Sequence, residues 1–173
     1  MRSSTGSSGP RACWDDGGNA PASSPYLCPM TSELDARQTA VAEGFGFFDD
    51  WSDRYEHLIE LGKELPALAE ADKVEEALIR GCQSRVWLHA ELDADGKVRF
   101  RADADALITR GIVAMLLQVL DGLPPGEVAG ADLWFLERIG LQAHLSPTRA
   151  NGLEAMVRAM KLYGLALQAR ATP

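Results

Sequence analysis

Histidine and cysteine are scarce in this chain, three of each among 173 residues. His57, His89 and His144 stand far apart, and Cys13, Cys28 and Cys82 keep no regular interval. A structural zinc site needs four ligands, usually in paired spacing, and no such pattern is written here. An odd number of irregularly placed cysteines is not a disulfide framework. There is no basic start leading into an apolar centre, as a secretory signal would have. No apolar run reaches the ~18 residues that suggest a membrane-spanning helix. Positive charge is short too: 17 Lys and Arg against 25 Asp and Glu give a formal charge of −8. Nucleic-acid binders ordinarily carry a basic face, so this balance argues against one. What is left has an apolar share of 46% and a charged share of 24%, the composition of a globular domain with a substantial core. A free thiol survives in a reducing compartment, so the cytoplasm is the expected location.

Residues 1–29 differ from everything after them. Gly, Ser and Pro make up 14 of the 29 positions, and the few apolar residues show no period. Such a stretch cannot bury enough surface to offset the entropy of ordering, so it is expected to be a disordered, non-essential extension. Met30 opens a sequence that reads as an ordinary protein start, and residues 30–173 are expected to form one domain.

Helical periodicity runs from Glu33 to Phe48 and again from Ser52 to Glu64, where Leu65-Pro66 ends it. A short third strand is expected near Leu78–Arg80. From Ser84 the period becomes two, with Val86, Leu88, Ala90 and Leu92 inward and Trp87 and His89 on the opposite face. Asp93–Gly96 reads as a hairpin turn, and Lys97–Ala102 as the return strand. The outward Trp87 is either a docking aromatic or covered by a helix. The remainder is helical: Ala106–Leu120 capped by Asp103 or Asp105, a short piece near Gly126–Ala129, and one started by Asp132. The last begins at Ser146-Pro147 and runs to about Gln168. The fold class is therefore α+β, a small antiparallel sheet of two to three strands packed by helices.

Cys82 is the cysteine that lies in the foldable part. It follows Gly81, precedes the polar pair Gln83-Ser84, and stands at the mouth of the first strand. Extended backbone would tuck the sulfur inward, whereas a kink at Gly81 would let it swing out. Arg80 and Arg85 are near enough in sequence to favour a thiolate, or else are simply solvated. Hydrolase chemistry needs a histidine base beside the thiol; His89 falls on the other strand face, and His57 and His144 could come near only through the fold. A CxxC redox pair and a set of metal ligands are both missing. Either Cys82 is simply a small buried side chain, as free cysteines often are, or the thiol acts through exchange with sulfur on another protein. Arg149 is a second candidate: with Ser146 as N-cap it takes the third helical position, where a cation opposes the helix dipole. It is an exposed contact for a partner, an electrostatic partner for a sulfur anion, or the member of a local ion pair.

"GCQSRVWL" (Gly81–Leu88) resembles the cysteine motif of the SufE family, the sulfur acceptors of iron–sulfur cluster assembly. "DRYEHLIELGKELP" (Asp53–Pro66), "RADADALITRGIVAMLL" (Arg101–Leu117) and "HLSPTRANGLEAMVRA" (His144–Ala159) agree with the same family, in the same order. Arg85 stands where the family often has glutamine, and the segment before Met30 has no counterpart in the usual bacterial form.

The resemblance implies a SufE/IscU-like fold and a catalytic role for Cys82 as persulfide acceptor, with Gly81, Gln83 and Arg149 as partner-binding residues. It implies that Cys82 takes sulfur from a pyridoxal-phosphate-dependent cysteine desulfurase of the SufS or CsdA kind and stimulates that enzyme. The sulfur would then pass to a SufBCD-like scaffold. The chain itself is expected to bind no metal and no cofactor, and to be an accessory transfer protein, not a stand-alone enzyme. The alternative is a CsdE-like acceptor feeding tRNA thiolation or another thio-cofactor route. A cluster scaffold would need several ligands around Cys82. Monomer and homodimer are both left open.

Overall fold

The computed structural model describes residues 32–171. The extension expected over residues 1–29, with Cys13 and Cys28, lies outside them. The first two helices are α1, Glu33–Gly46, and α2, Trp51–Glu64. Each starts on a side-chain cap: Ser32 accepts from the Asp35 amide, and Asp50 from the Ser52 amide. A strap with two short 3₁₀ turns, Glu70–Asp72 and Glu75–Ala77, leads to the hairpin. The hairpin strands are β1, Val86–Leu92, and β2, Val98–Ala104. They pair antiparallel with Val86 opposite Ala104 and Leu92 opposite Val98. Gly96, at φ +75°, makes the turn between them. The helices α3 (Leu107–Leu120), α4 (Pro125–Gly130), α5 (Trp134–Arg138), α6 (Leu141–His144) and α7 (Pro147–Ala171) follow.

One face of the hairpin, with Val86, Leu88, Val98, Phe100 and Ala102, packs into the main core with α3. The strand parity expected from sequence holds. α3 lies at the centre, with Ile112, Met115, Leu116, Val119 and Leu120 all buried. α2 crosses α3 at two glycines: a Cβ at Gly111 would stand 1.9 Å from the Leu58 carbonyl oxygen, and one at Gly62 2.7 Å from that of Leu107. Only a side chain of one hydrogen lets the two backbones approach so closely.

The third strand is reduced to a single bridge. Leu78 pairs with Trp87, and the Ile79 amide donates to the Val86 carbonyl at 2.8 Å. Trp87 is covered, but by the strap and not by a helix: Leu68, Ala77 and Leu78 pack against it. The strap is fastened to the sheet's outer face by Asp72, whose carboxylate meets Arg101 at 2.9 Å and whose carbonyl meets His89 Nε2 at 2.7 Å.

Three cap expectations are corrected. β2 continues through Asp103 to Ala104, and α3 begins after Ala106 with no side-chain cap. Asp103 is instead buried, accepting from the amides of Leu68 and Ala104 and facing Lys73 at 3.3 Å and Arg110 at 3.4 Å. Asp105 accepts from the Arg85 amide and so closes the open end of the hairpin. Asp132 does not cap α5, which starts after Leu133 without a side-chain bond. The helix expected there breaks in two at Gly140, which takes φ +69°.

Candidate functional site

Gly81, at φ +100°, turns the chain ahead of β1 and sets Cys82 in a loop, off the strand. That left-handed backbone is open to glycine and strained for any residue with a Cβ. The thiol is half-buried, and its Sγ donates to the Gly152 carbonyl of α7 at 3.5 Å. Gly152 is buried in the second turn of that helix, where a Cβ would stand 3.3 Å from Sγ. Glycine in a helix costs about 1 kcal/mol relative to alanine. Here it makes the room in which the sulfur rests.

The thiol opens onto a cavity of about 250 Å³ between the loop, α3 and α7. Ile112 and Met156 supply its apolar wall, and Ser84, Thr109 and Thr148 its hydroxyls. The loop is tied down on both sides. Thr148 Oγ1 donates to Gln83 Oε1 at 3.1 Å, and Thr109 Oγ1 to Ser84 Oγ at 3.2 Å. Burial pushes the Cys82 pKa up, so the resting sulfur is the protonated, less nucleophilic form. Neither neighbouring arginine reverses this. Arg80 is exposed and faces Glu75 at 3.9 Å, while the Arg85 guanidinium lies over the Trp87 ring, 4.9 Å from its centre.

Of the residues singled out from sequence, Cys82, Gln83 and Arg149 meet at this cavity, and Gly81 shapes its rim. Arg149 sits in the first turn of α7, exposed, with no carboxylate paired to it among the described residues. The local ion pair considered for it is therefore not formed there. Among the described residues no histidine lines the cavity. His57 packs between Phe45 and Phe48, His89 is engaged with Asp72, and His144 stacks on Trp51 at 3.8 Å. Nor, among the described residues, could any group of three His, Cys, Asp or Glu side chains hold a metal ion.

Gly152, Thr109 and Thr148 escape a reading of the sequence. Gly152 has one visible signal, a glycine inside a helical pattern, and it reads as easily as a helix-start feature. The two threonines have none, because they approach the loop only through the packing of α3 and α7.

The pattern of the family described as "SufE: Fe-S metabolism associated domain" matches residues 39–163. An uncharacterized SufE-like protein of Rhizobium meliloti (strain 1021) is 43% identical over 125 residues, which span 70% of this chain and 89% of that protein. Another, from Rhizobium etli, is 42% identical over 125 residues, 70% of this chain and 84% of that protein. The solution structure of a hypothetical protein from Thermus thermophilus superposes with a TM-score of 0.64 at 23% identity. It covers 77% of this chain and 96% of its own, and shares the fold. With the family pattern running from α1 into α7 and both relatives aligned over most of their length, the chain belongs to the SufE family of sulfur acceptors in iron–sulfur cluster assembly.

Proposed function

We propose that Cys82 accepts sulfane sulfur from the persulfide of a pyridoxal-phosphate-dependent cysteine desulfurase and relays it to a SufBCD-like scaffold. The observation that carries this reading is a thiol held at a small cavity where, among the described residues, no general base and no second cysteine lies beside it. Such a group has exchange as its natural chemistry. The Cys82 thiolate attacks the outer sulfur of the donor persulfide, a new S–S bond forms at Sγ, and the desulfurase thiolate leaves with the electron pair. The rate follows thiolate fraction, leaving-group pKa and which sulfur is reachable.

Burial serves storage better than attack. The protonated thiol bonded to Gly152 is shielded, so accepting sulfur requires the loop to carry Cys82 outward about Gly81, with the bonds from Thr148 and Thr109 given up. A donor that engages Gln83 and Gly81 on the loop and Arg149 beside it would stabilise that outward state. Retreat then places the bound sulfur in the cavity, away from water and stray thiols. The pyridoxal phosphate belongs to the donor, and this chain works as an accessory protein in a reducing compartment such as the cytoplasm.

Removing sulfur from the desulfurase frees it for another cycle, so its turnover should rise when this protein is added. The test is cysteine-dependent sulfide or alanine release with the native chain and with Cys82→Ser. Stimulation that survives the serine substitution would overturn the proposal.

A further inference from the structure

We infer that the Ser84 hydroxyl donates a hydrogen bond to the terminal sulfur of a persulfide on Cys82, and that Thr109 positions it. This rests on the sulfur-acceptor reading above. The inward face of α3 is apolar except at Thr109, which is only 6% exposed. A buried hydroxyl is costly unless it is bonded. Thr109 meets this by donating to Ser84 Oγ at 3.2 Å. A hydroxyl has one proton to give and two lone pairs to receive. Thr109 spends its proton on Ser84, and the Ser84 proton has no acceptor among the described residues. Both residues line the cavity onto which Cys82 opens. The free proton is thus available to whatever enters, and the bond from Thr109 orients and polarises it.

The resting thiol makes little use of that donor: among the described residues the bond Sγ makes is the one it donates to the Gly152 carbonyl, and a neutral thiol sulfur is a weak acceptor. A persulfide is different. Its terminal S–H is more acidic than a thiol, since the adjacent sulfur weakens that bond and spreads the charge, so the added sulfur enters the cavity as an anion. Burying an anion without a donor is unfavourable, and a charge-assisted bond offsets that. The charged groups around it are few. Among the described residues Arg149 of α7 lines the cavity and no carboxylate does; α3 contributes no charge to the lining, and Arg80 and Arg85 of the loop turn to Glu75 and Trp87. Gln83 lies at the exposed rim, where water competes for its amide. Ser84 is the sheltered donor.

The test loads the full chain with inorganic polysulfide as the probe. Cys82 thiolate attacks one sulfur, an Sγ–S bond forms, a polysulfide S–S bond breaks, and the shortened polysulfide anion departs with the electron pair. Alkylation rates with iodoacetamide are then followed against pH for thiol and persulfide forms of the native chain, Ser84→Ala and Thr109→Val. The persulfide midpoint is expected to rise by about one pH unit in Ser84→Ala. It should rise by less in Thr109→Val, with the thiol midpoint unmoved in both. A persulfide midpoint unchanged in both variants overturns the inference, and so does an equal shift of thiol and persulfide. Loading by polysulfide needs no desulfurase, so a failure of the acceptor reading would show separately.

Discussion

The sulfur of Cys82 rests 3.5 Å from the carbonyl oxygen of Gly152, and the missing side chain of that glycine is what lets it do so. Gly152→Ala would set a methyl 3.3 Å from Sγ, tighter than most carbon contacts, so the flexible thiol must give way. The expected result is a several-fold faster reaction of Cys82 with an aromatic disulfide reagent. Thermal stability should change little, since alanine gains about 1 kcal/mol in the helix against the new crowding. An unchanged rate would mean that Gly152 does not shape the thiol's resting place.

Burial raises the thiol pKa in the folded chain, and the sign of its effect on stability follows. Above the ordinary thiol pKa the unfolded chain loses this proton while the folded chain keeps it, so the unfolded state is favoured as pH rises. Below that pKa the group makes no difference. Native chain and Cys82→Ser should therefore show parallel urea stability at neutral pH. The native chain should lose stability relative to the variant from the ordinary thiol pKa up to the raised, folded-state value. Parallel curves throughout would contradict the assignment.

Arg149 separates function from stability. Replacing a cation in the first turn of α7 relieves its opposition to the helix dipole, worth about 0.3–1 kcal/mol. Arg149→Ala should therefore melt at the same temperature or slightly higher, yet stimulate a desulfurase less. Full stimulation by this variant would remove Arg149 from the docking surface.

At the crossing of α2 and α3, Gly111→Ala tests the core. Alanine is the better helix former, but its Cβ would fall 1.9 Å from the Leu58 carbonyl oxygen and force the helices apart. The net loss is expected to be about 3 kcal/mol in urea unfolding, at the upper end of overpacking costs. A gain in stability would show that the crossing has slack.

The end of α2 and the start of α7 are legible in the sequence because their signals are local: Leu65-Pro66 and Ser146-Pro147 act within a turn of themselves. The hairpin is legible because alternation and the glycine turn agree. Asp103 misleads, since a carboxylate just before an apolar helix looks the same in sequence whether it caps that helix or anchors a strap. Its partners Leu68 and Arg110 belong to the strap and to α3, the one far from it along the chain and the other beyond the helix start. Likewise the bridge at Leu78 reads as a strand, because periodicity cannot tell one pair of residues from three. Cys82 can be found by elimination, but its surroundings cannot. Thr109 and Gly152 reach it across 27 and 70 residues of chain, a proximity that only the packed core creates.

The most direct measurement is the mass of Cys82-containing peptides after the protein has been incubated with a cysteine desulfurase and cysteine. The expected result is a gain of one sulfur on Cys82, lost on reduction and absent from Cys82→Ser. A sulfur that never arrives, or one that arrives equally on the serine variant, would contradict the assignment of Cys82 as the acceptor.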